Sequence, residues 1–71
     1  MKHIYDCHGK THDEVMDELE NWIIIHHNTG DMCEIIAGKS TEMLKICMTT
    51  LELLGMQFAI PSNNPGMIIL L

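Results

Sequence analysis

Residues 4–15 read IYDCHGKTHDEV, and this stretch joins a strand, a turn and the start of a helix. Residues 3–7 have the length and composition of a short strand, which Gly9 ends. Thr11 and Glu14 then stand three positions apart, as in a capping box, where each side chain bonds the backbone of the other. We therefore predict a helix that begins directly after Thr11.

The middle of the chain repeats this order of strand and helix. Apolar residues recur at helical spacing from Val15 to His26, which predicts a helix of about four turns that ends at the NTGD stretch, residues 28–31. Residues 32–36 form a second apolar stretch with the length of a strand. The AGKS segment that follows it, residues 37–40, predicts a tight connection into another helix.

The last part of the chain predicts one helix and two strands. Ser40 or Thr41 can cap the second helix at its start, and Gly55 is a typical residue for its end. Residues 56–60 and 67–71 are short apolar stretches on either side of the sequence PSNNPG, which is rich in turn-forming residues.

The resulting order, β-α-β-α-β-β, predicts the α/β class with one domain over residues 1–71. Crossover connections between parallel strands are right-handed, so both helices should lie on one face of a mixed four-stranded sheet, as a two-layer sandwich. We expect the first two strands to be parallel and the last two to form an antiparallel hairpin.

Two loops should meet at one edge of this sheet. Asp6 and His8 lie at the carboxyl end of the first strand, and residues 38–40 follow the second; ligands of open α/β sheets bind at this edge. Because side chains alternate along a strand, Asp6 and His8 should share one side while Tyr5 and Cys7 enter the core. Alternatively, Asp6 only accepts backbone amides and His8 is an ordinary loop residue.

The same loops predict a phosphate site. Helix N-termini attract anions, and the residues expected to hold a phosphate belong to the two loops: Gly9, Lys10, Gly38, Lys39 and Ser40. His8 would act as general base or acid, and Asp6 would orient it or accept a proton itself. With RNA, the 2′-hydroxyl could be the nucleophile without a metal, whereas DNA would favour Mg²⁺ or Mn²⁺ on Asp6.

Other familiar motifs are incomplete. AGKST imitates the end of a nucleotide-binding phosphate loop, but Cys33 occupies the position five residues before Gly38 at which that motif needs a glycine. No Cys-x-x-Cys pair exists, so we predict no structural zinc site.

Composition limits the partners. The 71 residues carry a net charge of −6, with four lysines and no arginine, which argues against strong non-specific binding to nucleic acid and leaves an acidic surface for a basic protein partner. No apolar run approaches the roughly 20 residues of a membrane span, so we expect no membrane association. The chain has three cysteines without paired spacing, and its N-terminus lacks an apolar signal region. Both features predict a cytoplasmic protein.

Three segments together resemble the Smr (small MutS-related) domain family. Residues 5–14, YDCHGKTHDE, resemble the family's Leu-Asp-Leu-His-Gly strand end with its Thr-x-x-Glu helix start. Residues 35–40, IIAGKS, resemble its Ile-Ile-His-Gly-Lys-Gly loop, with Ala37 in place of a common histidine and Ser40 in place of the second glycine. Residues 64–70, NPGMIIL, resemble its closing hairpin.

The resemblance covers nearly the whole chain, in order, and has implications for both fold and function. It implies a fold like the C-terminal domain of translation initiation factor three. It also implies endonuclease activity, as DNA nicking in MutS-related proteins or RNA cleavage in ribosome-linked relatives, with Asp6, His8 and the glycine loop responsible. A non-catalytic domain of the same fold, binding nucleic acid or a protein, is the alternative.

Overall fold

A computed structural model describes all 71 residues, Met1–Leu71, and confirms the predicted order of elements. In chain order these are β1 (Lys2–Asp6), α1 (His12–His27), β2 (Met32–Ile36), α2 (Thr41–Leu53), β3 (Phe58–Ala59) and β4 (Met67–Leu70).

The four strands form one mixed sheet in the order β1-β2-β4-β3. β1 and β2 are parallel, as predicted, while β2 with β4 and β3 with β4 are antiparallel. Since β1 and β2 run side by side in the same direction, their carboxyl ends lie together. The two loops that follow them, predicted to meet, therefore leave the same edge of the sheet.

Both helices begin at capping residues that the sequence identifies. The Thr11 hydroxyl accepts the Glu14 N–H at 3.1 Å, and the Glu14 carboxylate accepts the Thr11 N–H at 2.8 Å, so the capping box is present. Ser40, rather than Thr41, caps α2, with its hydroxyl accepting the Met43 N–H at 3.1 Å. These caps hold the two loops at the first turns of the helices.

The third strand is shorter than predicted, with two residues instead of five. Gly55 has a φ of 71°, and the next residue, Met56, donates its N–H back to the Leu51 carbonyl at 2.9 Å. This is the hydrogen bond of a Schellman motif, which uses Met56 to finish α2 and leaves it outside the sheet. The other strand boundaries differ from the prediction by one residue at most.

The core lies between the helices and one face of the sheet. It contains 13 buried residues, among them Tyr5 and Cys7, which point inward as the alternation along β1 predicts. The opposite face of the sheet carries no helix, and Ile4 and Met32 on it are 50% and 57% exposed. Neither helix is long and apolar enough to cross a membrane.

Candidate active site

Asp6 and His8 form a short hydrogen-bonded pair at the end of β1. One carboxylate oxygen of Asp6, Oδ1, lies 2.6 Å from His8 Nδ1 and also accepts the His8 backbone N–H at 2.9 Å. The hydrogen bond from the His8 backbone N–H has the largest effect and lowers the pKa of Asp6, and the hydrogen bond with the His8 ring lowers it further. The Asp6 carboxylate is therefore ionised at neutral pH. Both side chains are exposed, at 53% for Asp6 and 71% for His8.

This pairing assigns the tautomer of His8. An ionised carboxylate can only accept hydrogen bonds, so the proton between the two residues belongs to His8 Nδ1. In the neutral ring, Nε2 then carries a free lone pair. That atom faces the second loop, since a Cβ added to Gly38 would lie 3.2 Å from His8 Nε2. The predicted Asp6–His8 pair is therefore formed, and His8 Nε2 faces the glycine loop.

The second loop is held by the turn that precedes β4. Ala37 and Gly38 both donate their N–H groups to the Gly66 carbonyl, at 2.8 and 3.2 Å. The Gly38 amide, which the sequence suggested for phosphate binding, is thus already used inside the protein. The amides of Lys39 and Ser40 make no hydrogen bond within the chain and stand at the N-terminus of α2.

The two lysines of the loops have different surroundings. Lys10 Nζ contacts Glu18 Oε1 at 3.1 Å, a hydrogen bond that raises the pKa of Lys10, and it lies 5.5 Å from the centre of the Tyr5 ring. Lys10 therefore contacts α1 through Glu18, while it still lines the cleft between the two loops. Lys39 is exposed and makes no ion pair, which leaves its charge available to an anion.

Two open clefts meet at His8. The larger, of about 880 Å³, runs toward the last hairpin and includes Leu44, Asn64 and Pro65 in its walls. The other, of about 520 Å³, lies between the two loops and includes His12. His8, Gly38, Lys39 and Ser40 line both clefts, so a chain-like ligand can pass from one to the other over His8.

His12 is the functional candidate that the sequence did not single out for catalysis. It is the first residue of α1 and lines the same cleft as His8, with Nδ1 4.0 Å from Glu42 Oε2. The chain therefore places two imidazoles on one opening. The signal available in the sequence was the spacing of His8 and His12 around the predicted turn, but that spacing alone gives no direction for the His12 side chain.

A divalent metal fits this donor set poorly. Mg²⁺ and Mn²⁺ prefer oxygen ligands and are usually held by one or two carboxylates. No carboxylate lines either cleft, and Asp6 Oδ1 already accepts two hydrogen bonds from His8. No group of three or more histidine, cysteine, aspartate or glutamate side chains is arranged for a metal ion anywhere in the chain.

The chain matches no protein-family model, no curated protein and no solved structure. The site must therefore be judged by its own geometry, which brings Asp6, His8, Gly38, Lys39 and Ser40 to one edge of the sheet. Gly9 and Lys10 also line the cleft between the loops, and Lys10 Nζ contacts Glu18 Oε1 there.

Two buried thiols, those of Cys7 and Cys47, contact each other in the core next to the end of β1. Cys7 and Cys47 are 3% and 0% exposed, and their Sγ atoms lie 3.8 Å apart. The hydrogen bond between them lowers the pKa of Cys7 and raises that of Cys47. Both are free thiols, as is the buried Cys33.

We predict that a thiol reagent labels the native protein at least about 100-fold more slowly than the protein in guanidinium chloride, because the cysteines react only after the core opens. The measurement is the rate of reaction with a chromogenic disulfide. A Thr49→Cys variant, with a new thiol on an exposed position of α2, serves as the reactive control. Native labelling as fast as that of the control would contradict the packing of Cys7 and Cys47.

Proposed function

We propose that this chain is an endonuclease of the Smr type that cleaves phosphodiester bonds, with RNA as the preferred substrate. The observation that carries the proposal is the Asp6–His8 pair, whose free Nε2 faces the loop of Gly38, Lys39 and Ser40. Cleavage of a phosphodiester requires at least a base and, beside it, a site that binds the phosphate. Buried free thiols are consistent with action in the reducing cytoplasm.

The phosphate is held by the second loop. The unpaired amides of Lys39 and Ser40 at the start of α2 attract an anion, and the Lys39 ammonium supplies the charge. Gly38 contributes by having no side chain, because a Cβ there would press on His8 Nε2. Lys10 contributes little, since Glu18 already neutralises it.

His8 acts as the base. Its Nε2 takes the proton of the 2′-hydroxyl, the 2′ oxygen attacks the adjacent phosphorus, and the bond from phosphorus to the 5′ oxygen breaks. The products are a 2′,3′-cyclic phosphate and a free 5′-hydroxyl. Asp6 keeps the ring oriented through Nδ1 and stabilises the imidazolium that forms.

His12 acts as the acid. The departing 5′ oxygen needs a proton, and His12 is the second imidazole on the cleft between the loops. A protonated His12, close to the Glu42 carboxylate, can donate this proton while His8 accepts the other. RNA is preferred because its 2′-hydroxyl is the nucleophile. Hydrolysis of DNA needs a water molecule that a metal ion would activate, and the cleft offers few ligands for such an ion.

The substrate test compares an RNA oligonucleotide with the same sequence carrying 2′-deoxynucleotides, each in EDTA and in Mg²⁺. We expect cleavage of the RNA in EDTA, a cyclic phosphate at the new end, and no cleavage at deoxynucleotides. Cleavage of DNA that depends on Mg²⁺ would contradict the RNA mechanism while leaving the endonuclease in place. No cleavage of either substrate would contradict the proposed function.

A leaving-group test separates the two histidines. His12→Ala should slow cleavage of RNA by about 100-fold or more, because the 5′ alkoxide is a poor leaving group without a general acid. The same variant should cleave uridine 3′-(4-nitrophenyl phosphate) at nearly the wild-type rate, because nitrophenolate leaves without a proton. His8→Ala should lose both reactions, and equal losses on both substrates for His12→Ala would contradict the assignment of His12 as acid.

One observation favours a second function. The chain has ten acidic residues, four lysines and no arginine, a charge balance that suits a basic protein better than a bare phosphate backbone. A non-catalytic domain that meets such a partner, or binds nucleic acid weakly without cleaving it, is therefore the alternative. Binding to a basic protein together with no cleavage of RNA or DNA would favour it.

A further inference from the structure

The outer side of β1 has unused backbone hydrogen-bonding groups. β1 is at the edge of the sheet and pairs only with β2, and the residue after it, Cys7, donates its N–H to the Ile36 carbonyl at 2.9 Å. Backbone groups alternate in direction along a strand, so those of Lys2, Ile4 and Asp6 point away from β2. A second strand can bond to this row.

β1 lacks two of the usual features that protect an edge strand. Its five residues pair with β2 in continuous register, without a bulge, and contain no proline. Natural edge strands are usually shielded by prolines, bulges or charged side chains. Here the middle residue is Ile4, which is 50% exposed, and the charges are at the two ends.

The strand is complementary to itself. When KHIYD is paired antiparallel with a second KHIYD about Ile4, Lys2 lies opposite the partner's Asp6, and Asp6 opposite the partner's Lys2. Opposite charges directly across two strands stabilise the pair, and this register also brings the outward-pointing backbone groups together. We propose that β1 pairs in this way with β1 of a second copy, so that the two four-stranded sheets join into one.

The helices support the same partner. The Tyr5 and Trp22 rings, 5.4 Å apart, place α1 over β1. Ile25 follows Trp22 by three residues, which puts it beside Trp22 on the helix surface, and it is 55% exposed. A two-fold axis at Ile4 makes the two α1 helices antiparallel neighbours, with Ile25 between them. The contact is isologous, since the same surface is used on both chains.

The dimer adds a cation near the candidate active site. Within one chain, Lys2 Nζ contacts Glu34 Oε2 at 3.3 Å, and Glu34 is 7% exposed. In the dimer the same ammonium also lies beside the partner's Asp6. Each Asp6–His8 pair thus gains a positive charge from the other chain, at a site whose own loops offer only Lys39 free. The dimer itself does not depend on the proposed endonuclease activity.

The first test is the mass in solution. One chain is 8.1 kDa, and we expect sedimentation equilibrium at about 100 μM to give a mass that approaches two chains. Ile4→Lys should restore one chain, because two ammonium groups would meet on the axis. Ile24→Lys, which changes a helical isoleucine that is 47% exposed, is the matched control and should remain dimeric.

A second test fixes the register. Residues opposite each other in a hydrogen-bonded antiparallel pair are about 5.5 Å apart at Cα, which a disulfide can span. Ile4→Cys should therefore form a covalent dimer in oxidised glutathione, while Met32→Cys, exposed on the neighbouring strand, should not. A wild-type mass of one chain at about 1 mM, or cross-linking of Met32→Cys without Ile4→Cys, would overturn the proposal.

Discussion

Replacing His8 by alanine is expected to lower the rate of RNA cleavage by about 100- to 10,000-fold, the usual contribution of a general base. Asp6→Asn should cost at least about tenfold, because the amide can still accept from the His8 backbone but cannot stabilise an imidazolium. The double variant should be hardly slower than His8→Ala, since residues that act as one unit are not additive. Single-turnover cleavage of a labelled RNA oligonucleotide measures all three rates.

Stability distinguishes this chemical role from a structural one. Both side chains are more than half exposed, so His8→Ala and Asp6→Asn should change the free energy of unfolding by only about 0.5 kcal/mol. Asp17→Asn, which removes the same charge from an exposed position of α1, should leave cleavage unchanged. If the wild type cleaves nothing and Asp6→Asn lowers the melting temperature by many degrees, Asp6 is a capping group and the chain is an interaction domain.

The order of elements was predictable because its signals are local. The hydrogen bonds between Thr11 and Glu14 lie within one turn, and the alternation that buries Tyr5 and Cys7 needs only the pleat of one strand. Parallel pairing of the first two strands then follows from the helix between them. For the same reason the sequence could place Asp6 and His8 next to the loop of Gly38.

The sequence could not show the contacts in which distant parts of the chain compete for one group. Met56 was predicted to belong to β3, but its N–H completes the end of α2. Lys10 stays a predicted phosphate ligand, but the sequence could not show that its flexible side chain contacts Glu18, eight residues later. The Gly38 amide is taken by the Gly66 carbonyl, a contact between loops far apart in sequence that no local pattern indicates.

Gly66→Ala is expected to be the most destabilising glycine-to-alanine change in this chain. A Cβ at Gly66 would collide with the carbonyl group of Gly38, which is backbone and cannot rotate away. Separation of the two segments would also strain the hydrogen bonds from Ala37 and Gly38 to the Gly66 carbonyl. Overpacking against backbone costs about 2–3 kcal/mol, which lowers the melting temperature of a domain of this size by roughly 10 °C or more.

The same variant should affect cleavage, because the displaced loop carries Gly38 and Lys39. We expect a higher KM for RNA at a temperature where the variant is still folded, measured beside its circular dichroism. Gly55→Ala is the matched control: its φ of 71° makes alanine cost about 1 kcal/mol, but open space surrounds it at the end of α2. Gly55→Ala should therefore lose stability without losing cleavage. Wild-type stability of Gly66→Ala would mean that the last hairpin does not hold the loop of Gly38, Lys39 and Ser40, and the proposed site at Lys39 would then need another support.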